Sequence, residues 1–323
     1  MRPFVCGPSQ TPVSPDTLLR PTSTMATPVV RVETEHEDMI HDAQLDYYSR
    51  LLATASSDRS VRVFDVSGDM YQLKDVLSGH EGPVWQVAWS HPKFGMLASC
   101  SYDGSVRIYR EQASTGKWEP VYVYSVHKSS VNSISFAPHE LGLVLACASA
   151  DGEISVLTHH PNETVGNDWK SEKFADSPLG VNTVCWAPFG TGQRRFVTGG
   201  CDNKARIWSC GENGGWSMEI LSENAHSDWV RDVAWAPSTG LPHDMIATAS
   251  EDRTVRIWTK GNDGTWGSVL LNVFDFPVWR VSWSITGNIL AVSAGDSDVT
   301  LWKQSTDGSW ARITSVDDEG VKN

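Results

Sequence analysis

The sequence predicts an all-β chain folded as a six-bladed propeller, and three observations predict it. Short stretches of period-two apolar alternation recur along most of the chain, each the pattern of a half-buried strand. Turn aspartates recur at Asp58, Asp103, Asp151, Asp202, Asp252 and Asp296, spaced 44 to 51 residues apart. A repeat near ~40–45 residues is the length of one four-stranded blade. A His upstream of the turn Asp recurs in several units, as a strand-turn lock would require.

The unit from Ala225 to Trp258 shows the pattern best. Val230, Val233 and Trp235 mark a first strand, Ile246 to Ala249 a second, and Thr254 to Trp258 a third, with a tight turn at Glu251-Asp252-Arg253. His226, Thr248, Asp252 and Trp258 can then meet. A chain of hydrogen bonds from indole N–H through hydroxyl and imidazole to carboxylate satisfies all four while buried. This unit resembles the structural tetrad of WD-repeat propellers. His80, Ser99 and Asp103 make the corresponding set in the second unit.

Taken in order, 1–27 is rich in Pro, Ser and Thr and lacks periodicity, so a disordered extension is expected. The propeller is expected over 28–316 and a flexible tail over 317–323. Val29 to Val32 reads as a short strand. Blade one follows with strands in His36 to Leu45, Leu52 to Asp58, Val61 to Phe64 and Tyr71 to Leu77. Blade two has Val84 to Trp89, Leu97 to Asp103 and Val106 to Tyr109. Blade three has Val131 to Phe136, Leu145 to Asp151 and Ile154 to Leu157. Blade four has Val181 to Trp186, Phe196 to Asp202 and Ala205 to Trp208. Blade six has Val278 to Trp283, Leu290 to Asp296 and Val299 to Trp302. A Gly or Asn two residues before Trp118, Trp169, Trp216, Trp266 and Trp310 starts each outer strand. The tetrad is uneven: Cys147 and Leu157 replace hydroxyl and indole in blade three, Asp176 stands about where blade four needs His, and Val292 replaces the hydroxyl in blade six.

Net charge is −13, which argues against direct contact with nucleic acid or an anionic membrane surface. No apolar run approaches the ~20 residues of a membrane helix. The six cysteines stand singly without a CxxC pair, so neither a zinc site nor a disulfide framework is expected. No phosphate loop, HExxH or GxSxG motif occurs. Gly199-Gly-Cys-Asp202 reads as a strand-to-turn segment, not a nucleophile. An enzyme is not expected, nor a metal or cofactor.

The strand count then matters. Six blades of four strands end with an outer strand from Trp310 to Val316, which leaves Val29 to Val32 without a sheet. Either the C-terminal segment is not a strand and the ring closes on six blades, or the ring stays open. An open ring exposes sheet faces, and strand donation by another chain would cover them. The expectation is an open propeller completed by a blade from a partner. Its contacts would be Val29, Val30 and Val32, with Ile40, Ala43 and Leu45 on blade one and Val299, Leu301 and Trp302 on blade six.

Three strings strengthen this: His36 to Gln44, Gly79 to Trp89 and His226 to Pro237, joined by Phe274 to Ser284. Together they resemble the Sec-thirteen family, over about Val29 to Val316. The resemblance implies a small propeller subunit of the outer COPII vesicle coat, acting in transport from the endoplasmic reticulum to the Golgi. It also implies service in the Y-shaped nuclear pore scaffold and in a lysosomal, TORC1-regulating nutrient-signalling complex. The implied partners are the large solenoid subunit of the outer coat, a solenoid nucleoporin and the signalling-complex subunits, with peripheral placement at those membranes. A further set, His41, Trp85, Asn132, Asn182, Arg231 and Trp279, occupies equivalent first-strand positions and is expected to border one face. A ring mouth bearing Trp, Arg and Asn suits peptide recognition, which is the alternative function. The bland reading is that Trp85 and Trp279 pack between blades.

Overall fold

A computed structural model describes residues 32–161, 168–190, 192–237, 243–295, 299–305, 307–317 and 320–322, the segments 316–317 and 320–322 by their backbone alone. Blade one comprises β1 (Ile40–Leu45), β2 (Leu51–Ser56), β3 (Val61–Ser67) and β4 (Met70–Leu77). Blade two comprises β5 (Val84–Trp89), β6 (Met96–Ser101), β7 (Val106–Glu111) and β8 (Trp118–Tyr124). Blade three comprises β9 (Val131–Phe136), β10 (Val144–Ser149), β11 (Glu153–His159) and β12 (Trp169–Ala175). Blade four comprises β13 (Val181–Trp186), β14 (Arg195–Gly200), β15 (Ala205–Cys210) and β16 (Trp216–Ile220). Blade five comprises β17 (Val230–Trp235), β18 (Met245–Ser250), β19 (Thr254–Lys260) and β20 (Trp266–Val273). Blade six comprises β21 (Val278–Trp283), β22 (Ile289–Ala294), β23 (Val299–Gln304) and β24 (Trp310–Asp317). Each blade is an antiparallel meander, with the strands hydrogen-bonded in chain order from the innermost outward. The molecule is thus an all-β, six-bladed propeller, its only described helix being a short 3-10 turn at His139–Leu141.

The C-terminus departs from the expected tail. β24 runs to Asp317, and β25 (Gly320–Lys322) folds back to pair with it as a fifth strand. The edge of β24 offers unpaired backbone groups, and a short hairpin satisfies them.

The third-residue positions of the turns explain why Asp is followed by Gly or a polar residue. Arg59, Gly104, Gly152, Asn203 and Arg253 all have φ between 67° and 87°. That left-handed region favours Gly. At Gly152 it is also a matter of space, because a Cβ there would lie 2.4 Å from the Ser177 carbonyl oxygen.

The core is divided among the gaps between blades. Val61, Val63 and Ala53 of blade one pack on Val84, Val87, Leu97 and Tyr109 of blade two. The same arrangement repeats between blades two and three, three and four, four and five, and five and six. Alternation makes this work, since successive residues of a strand serve opposite faces and each blade feeds two interfaces. No described cluster joins blade six to blade one.

A ring opening as the candidate partner-binding site

All six inner strands carry a bulge at one register position. In β1 the pairing jumps from Ile40 to Asp42, in β5 from Val84 to Gln86 and in β21 from Val278 to Arg280, with the same shift in β9, β13 and β17. The residues skipped are His41, Trp85, Asn132, Asn182, Arg231 and Trp279. A bulge re-aims its extra side chain out of the sheet. All six therefore line one cavity of about 620 Å³ at the mouth of the ring.

Most of these side chains tie their blade to the next. The His41 ring meets Trp85 edge-on at 4.6 Å, and Trp85 Nε1–H donates to Ser130 Oγ at 2.8 Å. Asn132 and Asn182 donate to the carbonyls of Val181 and Val230. The Arg231 guanidinium lies 4.9 Å from the Trp229 ring and 4.8 Å from that of Trp279, and pairs with Glu251. Trp85 is half-buried in this role, whereas Trp279 is 45% exposed.

The tetrads lock the turns to the sheets. Trp258 Nε1–H donates to Thr248 Oγ1 at 3.0 Å, and Thr248 lies 2.8 Å from His226 Nε2. Indole is only a donor, so the hydroxyl proton goes on to Nε2 and Nδ1–H faces the Asp252 carboxylate at 3.1 Å. Ser99, His80 and Asp103 repeat the chain in blade two. Burial alone would raise the Asp252 carboxyl, but hydrogen bonds from His226, Thr254 and the Ser227 amide outweigh it and hold it well below the usual range. The blade-one set, His36, Thr54 and Asp58, has the same geometry. Sequence reasoning named no such set there, although the His-to-Asp spacing is within one residue of that of blade two.

Two blades solve the lock differently. In blade three, Ser155 bonds His127 Nε2 at 2.9 Å and Tyr124 bonds Ser155 at 2.9 Å, so a β11 hydroxyl replaces the one lost at Cys147 and the phenol of blade two's β8 takes the place of the indole lost at Leu157. In blade four, Asp176 accepts from Thr198 Oγ1 at 2.7 Å and Trp208 Nε1 at 2.6 Å, with Arg206 between it and Asp202. A guanidinium there does what imidazole does elsewhere. These groups are buried and bonded to one another, which suits a lock and not a reaction site.

The opening lies between blades six and one. Inner strands of successive blades pack together from β1 to β21, but no comparable packing links β21 back to β1. Exposure marks the same place. Val84, Val131, Val181, Val230 and Val278 are each 0% exposed, yet Ile40 at the equivalent position is 41% exposed. Ala43 and Leu45 are exposed as well. On the facing side, Val299 and Leu301 are only half-buried, whereas Val255 and Ile257 of blade five are buried.

Trp302 does not belong to this face. It is 8% exposed and packs with Val278 and Leu290 against blade five, its indole donating to Thr300. Leu301 and Trp302 are neighbours on one strand and so point to opposite sides. Val29 and Val30 lie outside the described residues, and Val32 is in no strand. The chain enters the described region beside blade one, where Arg62 donates to the Thr34 carbonyl.

Among the described residues no group of three His, Cys, Asp or Glu side chains could hold a metal ion, and no helix is long and apolar enough to cross a membrane. The WD domain, G-beta repeat model matches residues 28–65, 71–110, 118–156, 172–209, 218–259 and 269–303. The chain is 50% identical over 272 residues to a Drosophila melanogaster protein named Protein SEC13 homolog, covering 79% of this chain and 74% of that one. It is 52% identical over 270 residues to Protein transport protein SEC13 of Coccidioides immitis, covering 78% and 86%. For the Mycosarcoma maydis protein of the same name the identity is 43% over 316 residues, covering 79% and 86%. Six matched repeats on six blades, with identity at this level along most of both chains, place the chain in the SEC13 family of WD-repeat proteins.

Proposed function

We propose that this chain acts in protein transport as a non-enzymatic scaffold subunit of the COPII outer cage, and that a blade from the coat's large solenoid subunit fills the opening between blades six and one. The observation that carries this is the contrast between Ile40 and its five buried equivalents. Fully burying a side chain of that size is worth about 1.5–3 kcal/mol. The same face can accept a solenoid nucleoporin at the nuclear pore or a subunit of a lysosomal nutrient-signalling complex, because the chemistry required is the same: an apolar blade with free edge hydrogen bonds. The protein then sits peripherally at the endoplasmic reticulum and its vesicles, the nuclear envelope and the lysosomal surface. In this reading residues 28–33 supply a strand to the added blade. Co-purification with the solenoid subunit tests the reading. Deleting 28–33 should weaken the complex strongly, and wild-type affinity after deletion removes that strand from the interface.

A second reading keeps the ring mouth as a peptide-binding face. The stack of Trp229, Arg231 and Trp279 favours it, because both indoles are close to half exposed. Replacing Trp279 and Arg231 should abolish binding of such a partner and leave the blade complex intact. Loss of neither would remove this reading.

A further inference from the structure

The residue after each bulge forms a second, deeper ring, and its chemistry changes at one place. Asp42 Oδ2 accepts from the Val87 amide at 3.1 Å, and Gln86 Oε1 from the Ile134 amide at 2.8 Å. Ser133 Oγ accepts from Val184, Thr183 Oγ1 from Val233, and Asp232 Oδ2 from Val281 at 2.9 Å. Each blade thus offers an oxygen to the backbone N–H of the next blade's inner strand. Five links use the same register, one residue past the bulge, and all run in the same direction around the ring.

Arg280 holds the sixth position, paired with Ser293 just past the bulge of β21. Its forward neighbour is the opening. Arginine has five N–H donors and no acceptor, so it cannot make the link its equivalents make. Its surroundings are acidic: Asp232 and Asp42 both favour its charge. Yet no hydrogen bond or close ion pair joins Arg280 to any described residue, and its side chain is exposed to the ring mouth. A guanidinium left without acceptors in a confined site forfeits strong, charge-assisted bonds.

Resting on the reading that a partner's blade fills the opening, we infer that Arg280 is the specificity residue for that blade, donating a forked pair of hydrogen bonds to oxygen acceptors on its innermost strand. An occupant that copied the chain's own inner strands would bring only an N–H to this level and meet a donor with a donor. The occupant must therefore present a carbonyl, amide or carboxylate oxygen there. Polarity at one position distinguishes a foreign blade from a seventh copy of the native repeat, and opposes pairing between two copies of this chain through their open edges.

The test uses the full chain and the full-length solenoid subunit, with wild-type, Arg280→Lys and Arg280→Met proteins. Affinity is measured by calorimetry, and the Arg280 Nε–H resonance is followed on binding. Arg280→Met should bind at least tenfold more weakly, and Arg280→Lys three- to tenfold more weakly, because it keeps the charge beside Asp232 and Asp42 but loses the fork. The Nε–H signal should shift and gain protection from exchange in the complex. Equal affinity of the Lys variant together with an unchanged Nε–H signal overturns the inference even where the Met variant fails to fold. Failure of the wild-type pair to associate overturns the reading beneath it instead. Alanine replacement along the partner's innermost strand separates a side-chain acceptor, which abolishes the difference between Arg280 and Lys, from a main-chain carbonyl, which preserves it.

Discussion

Ile40 and Val84 stand at the same register place on the inner strands of consecutive blades, each opposite the last serine of the second strand, yet Val84 is sealed and Ile40 is 41% exposed. The difference comes from what lies in front of them: blade one for Val84, and an opening for Ile40. Ile40→Asp should therefore change the stability of the isolated chain by no more than about 0.5 kcal/mol, the usual effect at an exposed site. The equivalent Val84→Asp buries an unpaired carboxylate and should cost more than about 4 kcal/mol. Urea denaturation of both variants checks this, and a large loss for Ile40→Asp would mean that the face is covered within the chain itself.

Leu301 and Trp302 give a second contrast within one strand. Trp302→Ala removes a buried indole from the interface of blades five and six and should cost about 3–5 kcal/mol. Leu301→Ala touches the half-buried face and should cost no more than about 1 kcal/mol in the isolated chain. In the complex with the solenoid subunit the ranking should narrow, as Leu301 becomes buried. Thermal melts with and without the partner read this directly.

The blades were legible because alternation and turn chemistry are local. The period of the turn aspartates and the order of strands follow from them, and β25 did not because Gly320–Lys322 is too short to show a period. The mouth residues were legible by alignment of repeats alone, although nothing in the sequence marks the bulge that gathers them. Assigning Trp302 to the opening misjudged facing, since proximity in sequence to Leu301 says nothing about side. The rerouted lock of blade three was hidden because Tyr124 comes from blade two's outer strand and Ser155 stands two residues before the indole position, places that the repeat pattern leaves free to vary.

Ser155 carries that lock, so its loss should be felt. Ser155→Ala leaves His127 Nε2 and the Tyr124 hydroxyl without their shared partner and should cost about 1–3 kcal/mol. Tyr124→Phe removes only the outermost member and should cost about 0.5–1.5 kcal/mol. The double variant should cost less than the sum, because both act on one chain of bonds. Strict additivity in chemical denaturation would show that the two hydroxyls act separately.

Stability should fall in acid through the turn aspartates. Burial would raise Asp151, but bonds from the Lys128 amide and His127 overcome it and bring its pKa to about 2. Asp58, Asp103 and Asp252 are held low by equivalent bonds that also outweigh burial. Their unfolded value is ~3.9. Between the two values the unfolded chain binds more protons than the folded one, so stability is lost as pH drops. The aspartates' contribution should hold level above about pH 5 and decline from about pH 4 to below pH 2. Asp151→Asn should flatten that decline, and denaturation midpoints across the range measure it. Asp176 works in the opposite sense: burial raises its pKa despite the Thr198 and Trp208 bonds, so the folded state takes up that proton first and offsets part of the loss.

Among the described residues, Asp176 and Arg206 form the one lock in which a cation replaces imidazole, and they should be coupled. Asp176→Asn keeps an acceptor for both Thr198 and Trp208, which donate to one oxygen, but turns a neutral NH2 toward Arg206, at a cost of about 1–3 kcal/mol. Arg206→Met strands the Asp176 carboxylate in a buried site and should cost about 3–5 kcal/mol. Removing both charges together avoids either penalty, since neither charge is then left alone. The coupling in a double-mutant cycle should reach at least about 1 kcal/mol. A coupling near zero would assign Arg206 wholly to Asp202, with Asp176 kept only as an acceptor for the indole and the hydroxyl.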